Sequence, residues 1–319
     1  MTEDFLRKGQ EVPLQWSLLA GCVSGLSARF VTAPLDTVKI RLQLHLVNEA
    51  SQGGIISIVR SIIREEGVRA LWKGNVPAAA MYLLYGATEF GAFSTLNKTL
   101  AGNQLPAQIH TCVVGALAGS CSAVTSYPFD VLRTRFVANH DKKLATTFET
   151  ARDIWAHEGL RGFFKGVSSS VVSMSIASSA IFATYETIKI FCEQSKHRDS
   201  GPVKFLESSA SVIAGLLSKT LVFPIDTVRK RLQVVNSKNL VNLSRHNHAY
   251  DAYKGTNFTQ LAQKVVQKEG YRALYRGFTL GVMKSVPSTV VSIGVYEWTL
   301  QNLGSRFRAQ ADDNGARQT

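Results

Sequence analysis

The chain has 319 residues, of which 36 are Lys or Arg and 23 are Asp or Glu, for a formal net charge of +13. A composition of 45% apolar and 18% charged residues excludes a disordered chain, and four cysteines exclude a disulfide scaffold. The basic excess admits nucleic acid, an anionic membrane surface or an anionic ligand as a partner, and a mean hydropathy of +0.02 hides the apolar segments described next.

The first eleven residues contain Glu3, Asp4 and Glu11, so neither an acid-poor transit peptide nor a secretory signal is expected there. Residues 14–33 then carry one formal charge, Arg29. Residues 76–93 carry only Glu89, 107–127 none and 167–185 none. Residues 208–223 carry only Lys219, and 278–296 only Lys284. These six segments have membrane-spanning length. They are rich in Gly, Ala and Ser, which lowers their hydropathy and lets packed helices approach closely. The competing reading is a large soluble helical bundle. Residues 304–319 read as a mobile polar tail.

Three stretches repeat one another at spacings of 94 and 96 residues: Pro34-x-Asp36-x-x-Lys39-x-Arg41-x-Gln43, Pro128-x-Asp130-x-x-Arg133-x-Arg135-x-Val137 and Pro224-x-Asp226-x-x-Arg229-x-Arg231-x-Gln233. A second motif follows each: Glu66-Gly67 to Trp72-Lys73-Gly74, Glu158-Gly159 to Phe164-Lys165-Gly166, and Glu269-Gly270 to Tyr275-Arg276-Gly277. The chain is therefore three copies, at 14–100, 107–194 and 204–303. Each reads as helix, short amphipathic helix, helix. Each proline falls inside a long helix and should kink it. The third copy has a longer polar connection over 236–256.

Asp36 with Lys39, Asp130 with Arg133 and Asp226 with Arg229 each share a helix face. Pairing within each helix competes with pairing between helices; three symmetry-related copies favour a ring of interhelical ion pairs. Such a ring can close a pore reversibly, because exposed pairs are each worth only about 0.2–1 kcal/mol and shielded ones more.

This pattern resembles the mitochondrial carrier family over essentially the whole chain. The resemblance implies an all-α membrane protein with six transmembrane helices in three pseudo-threefold repeats around a central cavity, plus three short matrix helices. It implies a monomeric transporter of the mitochondrial inner membrane, not an enzyme, with both termini facing the intermembrane space. The aspartate–base ring becomes the matrix gate, with Gln43 and Gln233 as braces; Val137 departs from the pattern and cannot brace. The cytosolic gate falls on Tyr185, Glu186, Lys189, Tyr296 and Glu297. With one base facing two acids, and Phe93 and Asn97 in the first copy, that gate is degenerate, so the empty carrier is expected to rest open to the cytosolic side.

Seven residues after Gly74, Gly166 and Gly277 lie Met81, Ser173 and Lys284, which with Tyr82 and Met174 resemble the family's substrate contact points. Five residues before the prolines lie Arg29, Ala123 and Lys219. Arg29, Lys219 and Lys284 break the threefold pattern and are expected to form a basic arc on one cavity wall. Cations within membrane spans mark functional sites by default, with snorkelling to headgroups as the alternative. Tyr85 and Glu89 follow Met81 on one helix face and suit a ring and a cation, or else pack and pair within the protein. Three cations suit a phosphate or diphosphate. Within the family, the resemblance implies thiamine pyrophosphate or a related organic phosphate as substrate, exchanged by alternating access; a nucleotide or coenzyme A is the alternative. A degenerate carrier acting as a membrane scaffold is a third reading.

Lys73-Gly74, Lys165-Gly166 and Arg276-Gly277 precede helices, where backbone N–H groups suit lipid phosphates; the resemblance suggests cardiolipin. Cys22, Cys112, Cys121 and Cys192 lack metal-ligand spacing, and His246 and His248 lack partner ligands, so no metal or cofactor is expected. Apolar spans argue against nucleic-acid binding. Residues 35–74, 129–166 and 225–277 hold 23 basic and 12 acidic residues, so most of the net charge faces one side, read as the matrix.

Overall fold

The computed structural model describes residues 14–44, 54–100, 107–139, 146–195, 201–235 and 253–316. His246, His248 and most of the long third connection lie outside the described residues, as do the side chains of Cys112 and of 303–316. Every regular element among the described residues is helical. In chain order these are α1 (Leu14–Leu44), α2 (Ile55–Glu66), α3 (Asn75–Leu100), α4 (Ala107–Ala138), α5 (Thr147–Glu158), α6 (Val167–Gln194), α7 (Gly201–Val235), α8 (Phe258–Glu269), α9 (Phe278–Met283) and α10 (Ser285–Ala316). Short 3-10 turns at Val68–Trp72 and Tyr271–Tyr275, and a helical turn at Leu160–Phe163, occupy equivalent places in the three copies.

Two differences from the sequence reading stand out. The third copy's second long helix is broken at Lys284, between α9 and α10. The helix also continues past residue 303 to Ala316, where composition suggested a loose tail; Arg, Ala and Gln there are good helix formers and extend it.

Pro34, Pro128 and Pro224 lie inside α1, α4 and α7 as expected. Each removes one backbone donor, at about 3 kcal/mol in an ordinary helix interior, so packing must hold these helices together. The short helices supply much of it. α2 buries Ile58 and Ile62, α5 buries Thr150 and Ile154, and α8 buries Leu261 and Val265. In each copy these positions stand eight and four residues before the Glu of the Glu-Gly motif, a helical repeat that makes one buried face. Capping boxes at Thr146/Glu149 and Asn257/Gln260 begin α5 and α8.

The chain divides into two compact units: Ala33–Val282, and Met1–Thr32 with Met283–Thr319. Within Ala33–Val282, each short helix packs on the C-terminal half of its own copy's first helix. Ile58 and Ile62 meet Val38, Ile154 meets Val131 and Leu132, and Leu261 and Val265 meet Val228 and Leu232. A further cluster joins all three copies: Ile40 and Leu44 of α1, Val137 and Ala138 of α4 and Val234 of α7. The C-terminal ends of the three proline helices therefore converge. α3 runs along α4 and α6 along α7.

Ser17–Leu44, Leu160–Gln194, Pro202–Val235 and Tyr271–Asn302 are long and apolar enough to cross a membrane. α3 and α4 have matching length. Phe90, Phe191 and Phe205 are exposed on the long helices of the Ala33–Val282 unit, as a lipid solvent permits.

Candidate functional site

Just beyond each proline, where α1, α4 and α7 converge, lie the repeated aspartates and bases. Arg133 of α4 donates to Asp36 of α1 at 2.8 Å, an ion pair between helices of two copies. Arg229 of α7 lies 4.0 Å from Asp130 of α4, the next pair of the ring. Asp226 is held within its own helix by Arg229, three residues on, at 3.2 Å. This third position follows the within-helix alternative. Lys39 lies 5.1 Å over the ring of Phe223, a cation–π contact, with its stem against Gly277 and Gly281.

Both expected braces sit below this layer. Gln233 donates to Asp130 Oδ2 at 2.9 Å and to the Tyr127 hydroxyl at 3.1 Å. Gln43 donates to Thr227 at 3.3 Å, beside Asp226. Val137 has no polar group to offer; it is fully buried against Gly74 instead.

A second layer escaped the sequence reading, although both of its motifs repeat. Arg41 pairs with both oxygens of Glu66. Arg135 does so with Glu158, at 2.7 and 2.9 Å, and Arg231 with Glu269. The Nε of each arginine donates to the main chain of the next copy's proline helix: Arg41 to Val137 O at 3.2 Å, Arg135 to Gln233 O at 3.0 Å and Arg231 to Gln43 O at 2.9 Å. Each guanidinium thus ties its own copy's short helix to the next copy's first helix. The planar fork of arginine makes this possible, since lysine cannot form a bidentate pair and reach sideways as well.

The bases proposed for lipid share these glutamates. Lys73 is 3.2 Å from Glu66, Lys165 is 2.5 Å from Glu158 and Arg276 is 3.8 Å from Glu269. The glycines that follow have φ of +81°, +84° and +82°. A Cβ on Gly74 would stand 2.7 Å from Val137 Cγ2, and one on Gly166 2.9 Å from the Tyr127 hydroxyl. Left-handed backbone and close approach both demand glycine here. The stems of Arg133, Arg229 and Lys39 pack on Gly74, Gly166 and Gly277 of the preceding copy.

Glu158 shows the electrostatic consequence. Burial alone would raise its pKa, but the hydrogen bonds and charge of Arg135, then Lys165, outweigh it and hold the carboxyl below its ordinary value. A depressed folded-state pKa contributes stability above the unfolded value, and that contribution is lost as pH falls through the folded one. Thermal unfolding of the purified protein should therefore become easier as pH drops below about 4.5. Glu158→Gln should flatten this dependence, and an identical pH profile in that variant would remove Glu158 from the account. In the third copy Tyr253 also donates to Glu269, at 3.0 Å. Burial, then the charge and hydrogen bond of Glu269, push its hydroxyl up to about 12.

Among the expected substrate residues, Met81, Tyr82, Tyr85 and Glu89 are half-buried on α3. Tyr85 and Glu89 lie one turn apart on α3. Tyr85 and Met174 come together over Gly119 of α4, whose added Cβ would lie 3.7 and 3.8 Å from them. Ser173 is buried and its hydroxyl has no partner among the described residues. The Lys219 ammonium donates to the Gly281 carbonyl, so α9 holds it. Arg29 and Lys284 belong to the other unit, both half-buried. Of the residues expected to form a cytosolic gate, Tyr185, Glu186 and Lys189 are exposed on α6, and Tyr296 and Glu297 are half-buried on α10.

The chain matches the mitochondrial carrier protein family three times, over residues 10–104, 106–196 and 203–307. It is 47% identical to the mitochondrial thiamine pyrophosphate carrier 1 of Kluyveromyces lactis over 93% of this chain and 94% of that protein. It is 47% identical to the protein of that name from Eremothecium gossypii (95% and 93%), and 43% to that from Saccharomyces cerevisiae strain S288c (94% and 98%). Three family matches coincide with the three copies whose aspartates, arginines and glycines interlock, and the chain belongs to the mitochondrial carrier family, whose members are transporters of mitochondrial membranes.

Proposed function

We propose that this protein carries thiamine pyrophosphate across the mitochondrial inner membrane, in exchange for another phosphorylated compound, by alternating access. The observation that carries the reading is the near full-length similarity to carriers of that name. The aspartate–base layer supports the gating part, because the pairs between α1, α4 and α7 tie three copies by contacts that can be exchanged for water. Asp36, Lys39, Asp130, Arg133, Asp226 and Arg229, with Gln43 and Gln233, act as the matrix gate in this reading. Tyr185, Glu186, Lys189, Tyr296 and Glu297 form the weaker cytosolic one.

On the sequence pattern, Arg29, Lys219 and Lys284 supply positive charge for the diphosphate. Tyr85 and Glu89, one turn apart on α3, suit an aromatic ring and a cationic thiazolium. Met81, Tyr82, Ser173 and Met174 provide further contacts. The termini face the intermembrane space, the chain works as a monomer, and no catalysis is involved. Cardiolipin phosphates dock on backbone N–H groups at Gly74, Gly166 and Gly277, since the neighbouring bases already face glutamates.

The test is uptake into proteoliposomes across a panel of labelled phosphates. Thiamine pyrophosphate should exchange, and Lys284→Ala should reduce uptake at least about 100-fold, the effect expected for a charge-assisted contact to phosphate. Exchange of adenine nucleotides but not thiamine pyrophosphate would reject the substrate, and unchanged uptake by Lys284→Ala would remove Lys284 from the site.

A further inference from the structure

The third copy carries a base that the other two lack. Lys230 follows Arg229 directly, where the first copy has Ile40 and the second Thr134. It is 8% exposed. Its ammonium donates to Asp130 Oδ1 at 2.6 Å, to Thr134 Oγ1 at 2.9 Å and to Gln233 Oε1 at 3.4 Å. The other Asp130 oxygen is taken by Gln233. Both Asp130 oxygens thus have a hydrogen-bonded partner without the arginine that the repeat pattern assigns to it.

Arg229 accordingly stands off at 4.0 Å, beyond hydrogen-bonding distance. It donates instead to Ser170 of α6 at 2.7 Å and faces Asp226. Its buried Nε has no partner among the described residues. An ammonium at 2.6 Å is a far stronger partner for Asp130 than a guanidinium at 4.0 Å, because direct contact combines the charge interaction with a hydrogen bond.

We propose that Lys230, not Arg229, is the base that closes the gate on Asp130, leaving Arg229 turned to Ser170 and Asp226. The proposal rests on reading this layer as the matrix gate. Lys230 is then a positioning residue: it holds the gate-closed, cytosol-facing state without touching the substrate. Loss of that state lowers the fraction of carrier competent to bind from outside, which raises apparent KM while leaving turnover largely intact. A merely structural lysine would instead lower the amount of active carrier and leave KM alone.

Two measurements test this. In reconstituted carrier, Lys230→Thr should raise the KM for external thiamine pyrophosphate about tenfold with Vmax changed less than about threefold, and Lys230→Arg should restore it. Arg229→Gln should move KM much less. A KM shift in Arg229→Gln with none in Lys230→Thr, or loss of Vmax alone in Lys230→Thr, overturns the proposal while the gate stands. If Arg133→Gln, Arg229→Gln and Lys230→Thr all leave KM unchanged, the gate reading itself fails. Should Lys230→Thr not fold, Lys230→Gln carries the same test.

The second measurement needs no substrate. Thermal-unfolding cycles in detergent pair Asp130→Asn with Lys230→Thr and, separately, with Arg229→Gln. Strong non-additivity is expected for the lysine cycle and near-additivity for the arginine cycle; the reverse overturns the proposal. These cycles decide the pairing even where wild-type protein takes up no thiamine pyrophosphate, an outcome that rejects the substrate alone.

Discussion

Arg231→Ala should destabilise the protein by about 3–5 kcal/mol, the usual cost of breaking a buried ion pair from one side. Arg231 is among the most buried side chains, 1% exposed. Its loss removes both bonds to Glu269 and the link from α7 to the Gln43 carbonyl of α1. Tyr253 and Arg276 still face Glu269, but at 3.0 and 3.8 Å they cannot replace a bidentate guanidinium. Arg231→Lys should fall between the two, since it restores charge but not the sideways Nε donor. The measurement is thermal unfolding of the purified protein in detergent. A midpoint equal to wild type for Arg231→Ala would show that the second layer does not hold the copies together.

Gly74→Ala should be the most damaging single-methyl change. The left-handed backbone costs a side chain about 1–2 kcal/mol, and the new Cβ would stand 2.7 Å from Val137 Cγ2. Val137 is fully buried and β-branched, so it cannot swing aside, and overpacking adds about 1–3 kcal/mol. The double variant Gly74→Ala with Val137→Ala should recover the packing part and keep the backbone part. Its midpoint should lie above that of Gly74→Ala alone. If Val137→Ala only adds its own loss, close approach is not the reason for glycine at this position.

Val137 illustrates what could be read in advance and what could not. Its apolar side chain, where the other copies have Gln43 and Gln233, already says that it offers no hydrogen bond there. That it packs instead on the preceding copy's glycine depended on how α4 meets the turn before α3. The Arg–Glu layer is similar. Arg41, Arg135 and Arg231 repeat two positions after Lys39, Arg133 and Arg229, and Glu66, Glu158 and Glu269 repeat before a glycine. Nothing in the spacing says that the two sets face each other, because they lie 23 to 38 residues apart along the chain.

The aspartate–base layer shows the limit most clearly. Symmetry in sequence suggested three equivalent pairs. The structure has Arg133 on Asp36, but Lys230 on Asp130 and Arg229 on its own helix neighbour Asp226. A charge chooses among nearby partners by distance and desolvation, both set by packing and neither visible in spacing.

The family, the three copies, the helical alternation and the layer of repeated aspartates and bases could thus be read from the chain alone. These follow from periodicity, charge distribution and repeated motifs, all local along the chain. Tertiary structure alone decided which base serves which acid, why glycine follows Lys73, Lys165 and Arg276, and how each arginine ties one copy to the next. Those outcomes rest on approaches of a few ångströms between distant segments. There a single methyl group or one extra lysine, such as Lys230, redirects the contacts that symmetry would assign.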